Sequence, residues 1–132
     1  MSRFETVRLA DAPVVLAPDG GSVRILPALA GGSFAEFSLA PGETSTAVAH
    51  RSVEEIWFVT GGRGEIWRSQ DGRAEVTPLE TGICVTVPLG THFQFRCLGP
   101  ETLTAIAVTM PPWPGEDEAF FVEGAWTPTV PR

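Results

Sequence analysis

Only two imidazoles, His50 and His92, occur in this chain of 132 residues, and any chemistry that needs a histidine must use one or both of them. Imidazoles and carboxylates are the usual groups for proton transfer and for holding divalent metals. Carboxylates are plentiful: 16 acidic residues stand against 9 basic ones, the basic ones are all arginine, and the formal net charge is -7. A surface of that sign repels a phosphate backbone, which argues against nucleic acid as a partner. The chain carries no glycine-rich loop of the phosphate-cradling kind and no nucleophile with a base beside it. Cys84 and Cys97 lie 13 residues apart inside apolar runs, without a Cys-x-x-Cys pair. They read as buried thiols, and their spacing alone leaves a disulfide between adjacent strands open.

The elements that must position these groups are strands. Gly and Pro number 14 and 12 and punctuate short segments rich in Val, Ile, Phe, Thr and Trp, which is the spacing of an all-β protein. Strands are expected at Val14–Leu16, Val23–Leu26, Ser33–Leu39, Thr46–His50, Ile56–Thr60, Glu65–Arg68, Ala74–Leu79, Ile83–Pro88, His92–Cys97 and Leu103–Thr109. No segment sustains a helical apolar period with a cap, so any helix is at most a turn. Asp71-Gly72 supplies a positive-φ hairpin corner, and Pro41-Gly42, Gly61-Gly62 and Gly99-Pro100 break the chain elsewhere. From Pro111 onward the chain changes character. Its prolines cannot donate to a central ladder, yet Trp113, Phe120, Phe121 and Trp126 are apolar enough to be docked over the outside or the mouth of a barrel. Glu116-Asp117-Glu118 within it reads as a solvated charge run. The length suits a single domain over residues 1–132, with the tail at 111–132. The first thirteen residues lack the apolar core of a signal peptide, and no stretch approaches a membrane span, so the expected setting is soluble and cytoplasmic, with no membrane partner.

Two blocks of the sequence carry a family resemblance. Gly42 to Gly62 reads Gly-Glu-Thr-Ser-Thr-Ala-Val-Ala-His-Arg-Ser-Val-Glu-Glu-Ile-Trp-Phe-Val-Thr-Gly-Gly, and Gly82 to Cys97 reads Gly-Ile-Cys-Val-Thr-Val-Pro-Leu-Gly-Thr-His-Phe-Gln-Phe-Arg-Cys. Their glycine, glutamate and proline spacings resemble the two motif blocks of the cupin superfamily, with core motifs at residues 42–97. The resemblance implies a double-stranded β-helix, the jelly-roll barrel with an internal ligand cavity. It further implies a metal site built from two histidines on one strand, a glutamate after the turn and a third histidine across the barrel. Small members of the superfamily are commonly dimers, which makes a homodimer the expected assembly.

Carried over residue by residue, the site is incomplete. The first histidine position holds Val48, the second holds His50, the glutamate falls on Glu55, and the third histidine position holds Phe93, with His92 one residue early. Strand alternation then puts Phe93, Phe95 and Cys97 inside and His92, Gln94 and Arg96 outside, unless a bulge swings His92 inward. Trp57 and Val59 share the face of Glu55, so Val48, Trp57, Phe93 and Phe95 are expected to wall an apolar, aromatic ligand pocket. A carboxylate inside a barrel needs a partner, and His50 is the obvious one, directly or through a metal or water. Two functions follow. In the first, the barrel binds a small organic molecule, with His50 and Glu55 as an acid/base pair and no tightly held metal. In the second, His50, Glu55 and His92 hold one divalent ion (Fe, Mn, Ni, Cu or Zn) for dioxygenase, isomerase or lyase chemistry. A purely structural or regulatory binding module is a third, favoured if no cavity exists between Trp57 and Phe93.

Overall fold

The computed structural model describes residues 3–130; residues 1–2 and 131–132, the ends of the expected domain and tail, lie outside it. Two antiparallel sheets close a jelly-roll barrel. In chain order the strands are β1 (Val14–Leu16), β2 (Ser22–Leu29), β3 (Gly32–Leu39), β4 (Val48–His50), β5 (Glu54–Gly61), β6 (Arg63–Gln70), β7 (Arg73–Glu80), β8 (Cys84–Val87), β9 (His92–Cys97), β10 (Leu103–Met110) and β11 (Ala119–Phe121). The first sheet runs β1-β2-β3-β10-β5-β8 and the second β11-β4-β9-β6-β7. Helix is confined, among the described residues, to single 3-10 turns at Leu9–Asp11 and Glu116–Glu118. None is long and apolar enough to cross a membrane.

Period-two patterning fixes which side chains meet. In β5, Glu55, Trp57 and Val59 are buried while Glu54, Ile56 and Phe58 face out. In β10, Leu103, Ala105, Ala107 and Thr109 point inward, and the small side chains of Ala105 and Ala107 leave room for the bulk of Trp57 opposite Ala107. The core joins both sheets through Leu39, Trp57, Ile66, Leu79, Phe93 and Phe95. The β6–β7 hairpin turns at Asp71 and Gly72, with φ of 50° and 77°, the left-handed pair that matches strand twist. Pro27, which cannot donate to a ladder, sits where the β2–β3 register shifts between Ile25 and Ala28.

Three expectations are corrected. The tail contributes an eleventh strand, β11, which pairs with β4 and places Ala119 opposite His50. Gln94, expected outside with His92, is fully buried: its amide donates to the carbonyls of Ser45 and Trp126 (2.8 Å each) and accepts from the Trp126 N–H at 2.9 Å. The docked tail is what covers it, and Trp126 in turn lies under the Arg96 guanidinium at 4.1 Å. Both cysteines are free, Cys97 buried but Cys84 exposed, because β8 turns Val85 and Val87 inward. β8 and β9 are in different sheets and so are not the adjacent strands the spacing left open, and Cys84 faces solvent while Cys97 is buried.

Candidate functional site

A cavity of about 430 Å³ opens between the two sheets, and the strands β1 to β3, parts of β4, β5, β9 and β10, and the start of the tail all contribute to its wall. Val48, His50, Glu55, Trp57 and Phe93 line it together. Their meeting follows from register: Val48 stands opposite Phe93 across β4 and β9, and His50 shares the inward face of Val48 two residues on. Phe95 is not a wall residue. It lies deeper, with its ring 4.9 Å from Trp57, and belongs to the core.

Glu55 is 3 % exposed, and both its oxygens are engaged. Oε1 accepts from Trp57 Nε1 at 2.9 Å, and Oε2 accepts from Thr109 Oγ1 at 2.7 Å. Burial pushes its carboxyl above the usual range; the two hydrogen bonds pull the other way, and the nearby charges of Asp19 and Glu118 add to the rise. His50 lines the same cavity but makes no direct hydrogen bond to Glu55, whose direct partners are Trp57 and Thr109. The reason is topological: β4 and β5 are neighbours in sequence but belong to opposite sheets, whereas β10 lies beside β5 and sets Thr109 directly across from Glu55. Thr109 went unnoticed in the sequence, although a hydroxyl closing the inward stripe of β10 was the available signal.

His50 is 7 % exposed, and neither ring nitrogen makes a hydrogen bond to another described residue. Its ring meets Phe93 and Trp113 edge-on at centroid distances of 5.2 and 5.3 Å. Burial lowers its pKa to about 4, against a weaker upward pull from Glu118, so near neutrality the imidazole is uncharged, one nitrogen a donor and the other an acceptor. Trp113 itself is held by its backbone N–H on Ser33 Oγ at 2.9 Å, so the tail roofs this end of the cavity.

Two further acids emerge only from the structure. Asp19 lines the cavity, buried, with Oδ1 accepting from the Gly21 N–H at 2.9 Å. Burial raises its pKa to about 6, partly opposed by that hydrogen bond. In the sequence it reads as an ordinary turn residue of Pro18-Asp19-Gly20-Gly21, which concealed it. Glu118 belongs to the run expected to be solvated, but it is buried. It accepts from Ser52 N (2.6 Å), Ser52 Oγ (2.5 Å) and Val53 N (3.0 Å). Burial pushes this carboxyl up, and the hydrogen bonds together with His50 more than offset it, leaving it below the usual range. Glu118 thereby clamps the tail to the β4–β5 turn.

The donor set does not fit the metal site that the resemblance implies. Val48 and Phe93 put hydrocarbon at two of the three histidine positions, both Glu55 oxygens already accept hydrogen bonds, and His92 is exposed on the far face of β9 from Phe93. The Gly90-Thr91 turn contains no bulge that swings His92 inward: β9 pairs with β6 in unbroken register from His92 to Cys97. His92 is thus corrected as a candidate ligand. No cluster of three or more His, Cys, Asp or Glu side chains suited to a metal ion occurs among the described residues.

The family model described as "Cupin domain" matches residues 35–109, more than half of the chain. The chain belongs to the cupin family. Solved structures similar to this cupin agree with the barrel. The capsular polysaccharide assembling protein CapF from Staphylococcus aureus superposes with a TM-score of 0.71 at 19% identity over 85% of this chain and 35% of CapF. Oxalate decarboxylase from Bacillus subtilis gives a TM-score of 0.75 at 18% identity over 90% of this chain and 33% of that enzyme. A protein described as a predicted oxalate decarboxylase from Thermotoga maritima gives 0.64 at 20% identity, covering 81% of this chain and 99% of the other. At these identities the likeness is one of fold. The cupin spans about a third of the length of CapF and of the Bacillus enzyme. No curated protein sequence matches it.

Two measurements test this geometry. Thr109→Val keeps the volume of the side chain but strips a donor from a buried carboxyl; stability should fall by about 1–2 kcal/mol in urea unfolding. A loss below the error of the measurement would show that Glu55 does not depend on the β10 hydroxyl. Glu118→Ala leaves the Ser52 and Val53 amides without their acceptor, at a cost of about 2 kcal/mol. Amide exchange should quicken in β11 before it does in β6; unchanged β11 protection would show that the clamp does not hold the tail.

Proposed function

We infer that this cupin binds a small organic molecule in the cavity between its sheets, with His50 and Glu55 as polar anchors on a mostly apolar, aromatic wall. The single observation that carries the reading is His50, buried at the cavity surface with no hydrogen bond from either nitrogen to a described residue. The imidazole nitrogens stay open to the cavity, one a donor and the other an acceptor near neutrality, so a bound group can meet them without displacing a partner within the fold. Walls that are largely apolar with a few convergent polar atoms are the usual make-up of small-molecule sites, and a cavity of about 430 Å³ lies within their size range. The reading needs no metal. Self-association as a homodimer is also part of it, supported by the exposed apolar side chains Ile56 and Phe58 on the outer face of β5.

The test is an NMR screen of neutral, cationic and anionic fragments that follows the Trp57 and Trp113 indole N–H resonances. Ala35→Phe, which fills the cavity from β3, is the control. Fragments should shift the indole signals of the natural protein and leave those of the filled variant unmoved. Shifts of equal size in both would place binding outside the cavity and defeat the reading.

A further inference from the structure

The cavity wall has one sign of charge. Its acidic residues are Asp19 and Glu55, both buried, and Glu116, exposed at its edge; no arginine is among its described residues, and the chain has no lysine. His50 contributes no positive charge near neutrality. An anion entering this space would leave water for a low-dielectric pocket that offers it no cation and two buried acids, and the arrangement disfavours it twice over. The opposite holds for a cation. Phe37, Trp57, Phe93 and Trp113 line the cavity, and aromatic faces attract alkylated ammonium groups most strongly when water is excluded.

Glu55 is built for the same purpose. Trp57 Nε1 and Thr109 Oγ1 both donate to it, an arrangement that favours the carboxylate, while burial opposes ionisation. A positive charge in the cavity supplies the missing counterion and tips that balance.

Resting on the small-molecule reading above, we propose that the ligand is an organic cation, an ammonium group carried on an apolar or aromatic body and seated between these rings and the carboxyls of Asp19 and Glu55. Binding of such a ligand is linked to proton release. The groups that bear on that release are Asp19 itself with the Gly21 amide on its own turn, Glu55 from β5, His50 from β4, and Glu116 and Glu118 from the tail.

Calorimetric titration with benzyltrimethylammonium, benzyl alcohol and benzoate tests the assignment, because the three share a ring and differ in charge, and the quaternary cation keeps its charge at every pH. At pH 8 the ammonium should bind at least about tenfold more tightly than the alcohol, and benzoate should not bind. At pH 5 the ammonium should weaken by about tenfold as Asp19 takes up its proton, while the alcohol is unaffected. Asp19→Asn, or the isosteric Glu55→Gln if the first variant is unstable, should weaken the ammonium at pH 8 by about tenfold and spare the alcohol. Alcohol or benzoate binding as tightly as the ammonium overturns the cation assignment and leaves the small-molecule reading standing. Binding of none of the three, with an empty fragment screen, overturns both.

Discussion

Trp57→Ala should cost about 3–5 kcal/mol, the largest loss of any single truncation considered for this cupin. Trp57 is almost fully buried and lies at the meeting point of three rings, with centroids 5.1 Å from Phe37, 5.9 Å from Phe93 and 4.9 Å from Phe95. Removing the indole empties a space that cross-strand Ala107 cannot fill, and the lost contacts add to the lost transfer free energy. The same truncation takes a donor from Glu55. Trp57→Phe separates the two effects: most of the ring volume stays, the indole N–H goes, and the loss should shrink to about 1–2 kcal/mol. Because that N–H favours the carboxylate, the Glu55 carboxyl should titrate higher in Trp57→Phe, a change that carbon-detected NMR of the side chain reads directly. Urea unfolding of both variants supplies the energies. A loss under about 1 kcal/mol for the alanine variant would contradict the packing described here.

Asp19→Asn should change how stability depends on pH. Asp19 has a folded pKa of about 6 against an ordinary 3.8, so between those values the folded protein keeps a proton that the unfolded chain has lost. Its contribution is fully present below about pH 4 and is lost as the pH rises through 6. His50 runs oppositely. Its folded pKa of about 4 lies below the ordinary 6.5, so its contribution is present above about pH 6.5 and is lost as the pH falls toward 4. Each shift corresponds to about 3 kcal/mol, and over the shared window the two largely cancel in the natural protein. Asparagine removes the limb that falls with pH. Relative to the natural protein, Asp19→Asn should therefore gain about 3 kcal/mol in going from pH 4 to pH 7, seen as a rising difference in urea midpoint. His50→Gln should show the mirror image, its relative stability growing as the pH is lowered. A difference that stays flat across the window for Asp19→Asn would mean that the carboxyl is not desolvated.

The alternation of β5 and β9 was legible from the residues alone: the inward set Glu55, Trp57 and Val59, and the division of Phe93 from His92, follow from a period of two. The barrel was legible from motif spacing. What the spacing could not convey was contact across long separations. Gln94 looked solvent-facing because the segment that covers it arrives thirty-two residues later, at Trp126. Glu118 looked like one of three interchangeable acids until the tail brought it to the Ser52 and Val53 amides. Asp19 already had a local explanation as a turn residue, and a local explanation hides a second role. Glu55 has no direct hydrogen bond to His50 because β4 and β5 lie in opposite sheets, and its hydroxyl partner Thr109 comes from β10, far along the chain.

The roof of the cavity has a consequence for how such proteins diversify. Pro112, Trp113, Gly115, Glu116 and Ala119 line the cavity from one side, and Val15 to Phe34 supply much of another, all of them outside the segment 35–109 by which the family is recognised. A cupin can keep its barrel intact and acquire a different ligand by exchanging those flanks. Two relatives with interchangeable barrels need share no chemistry, and the flanking segments are the place to compare them first.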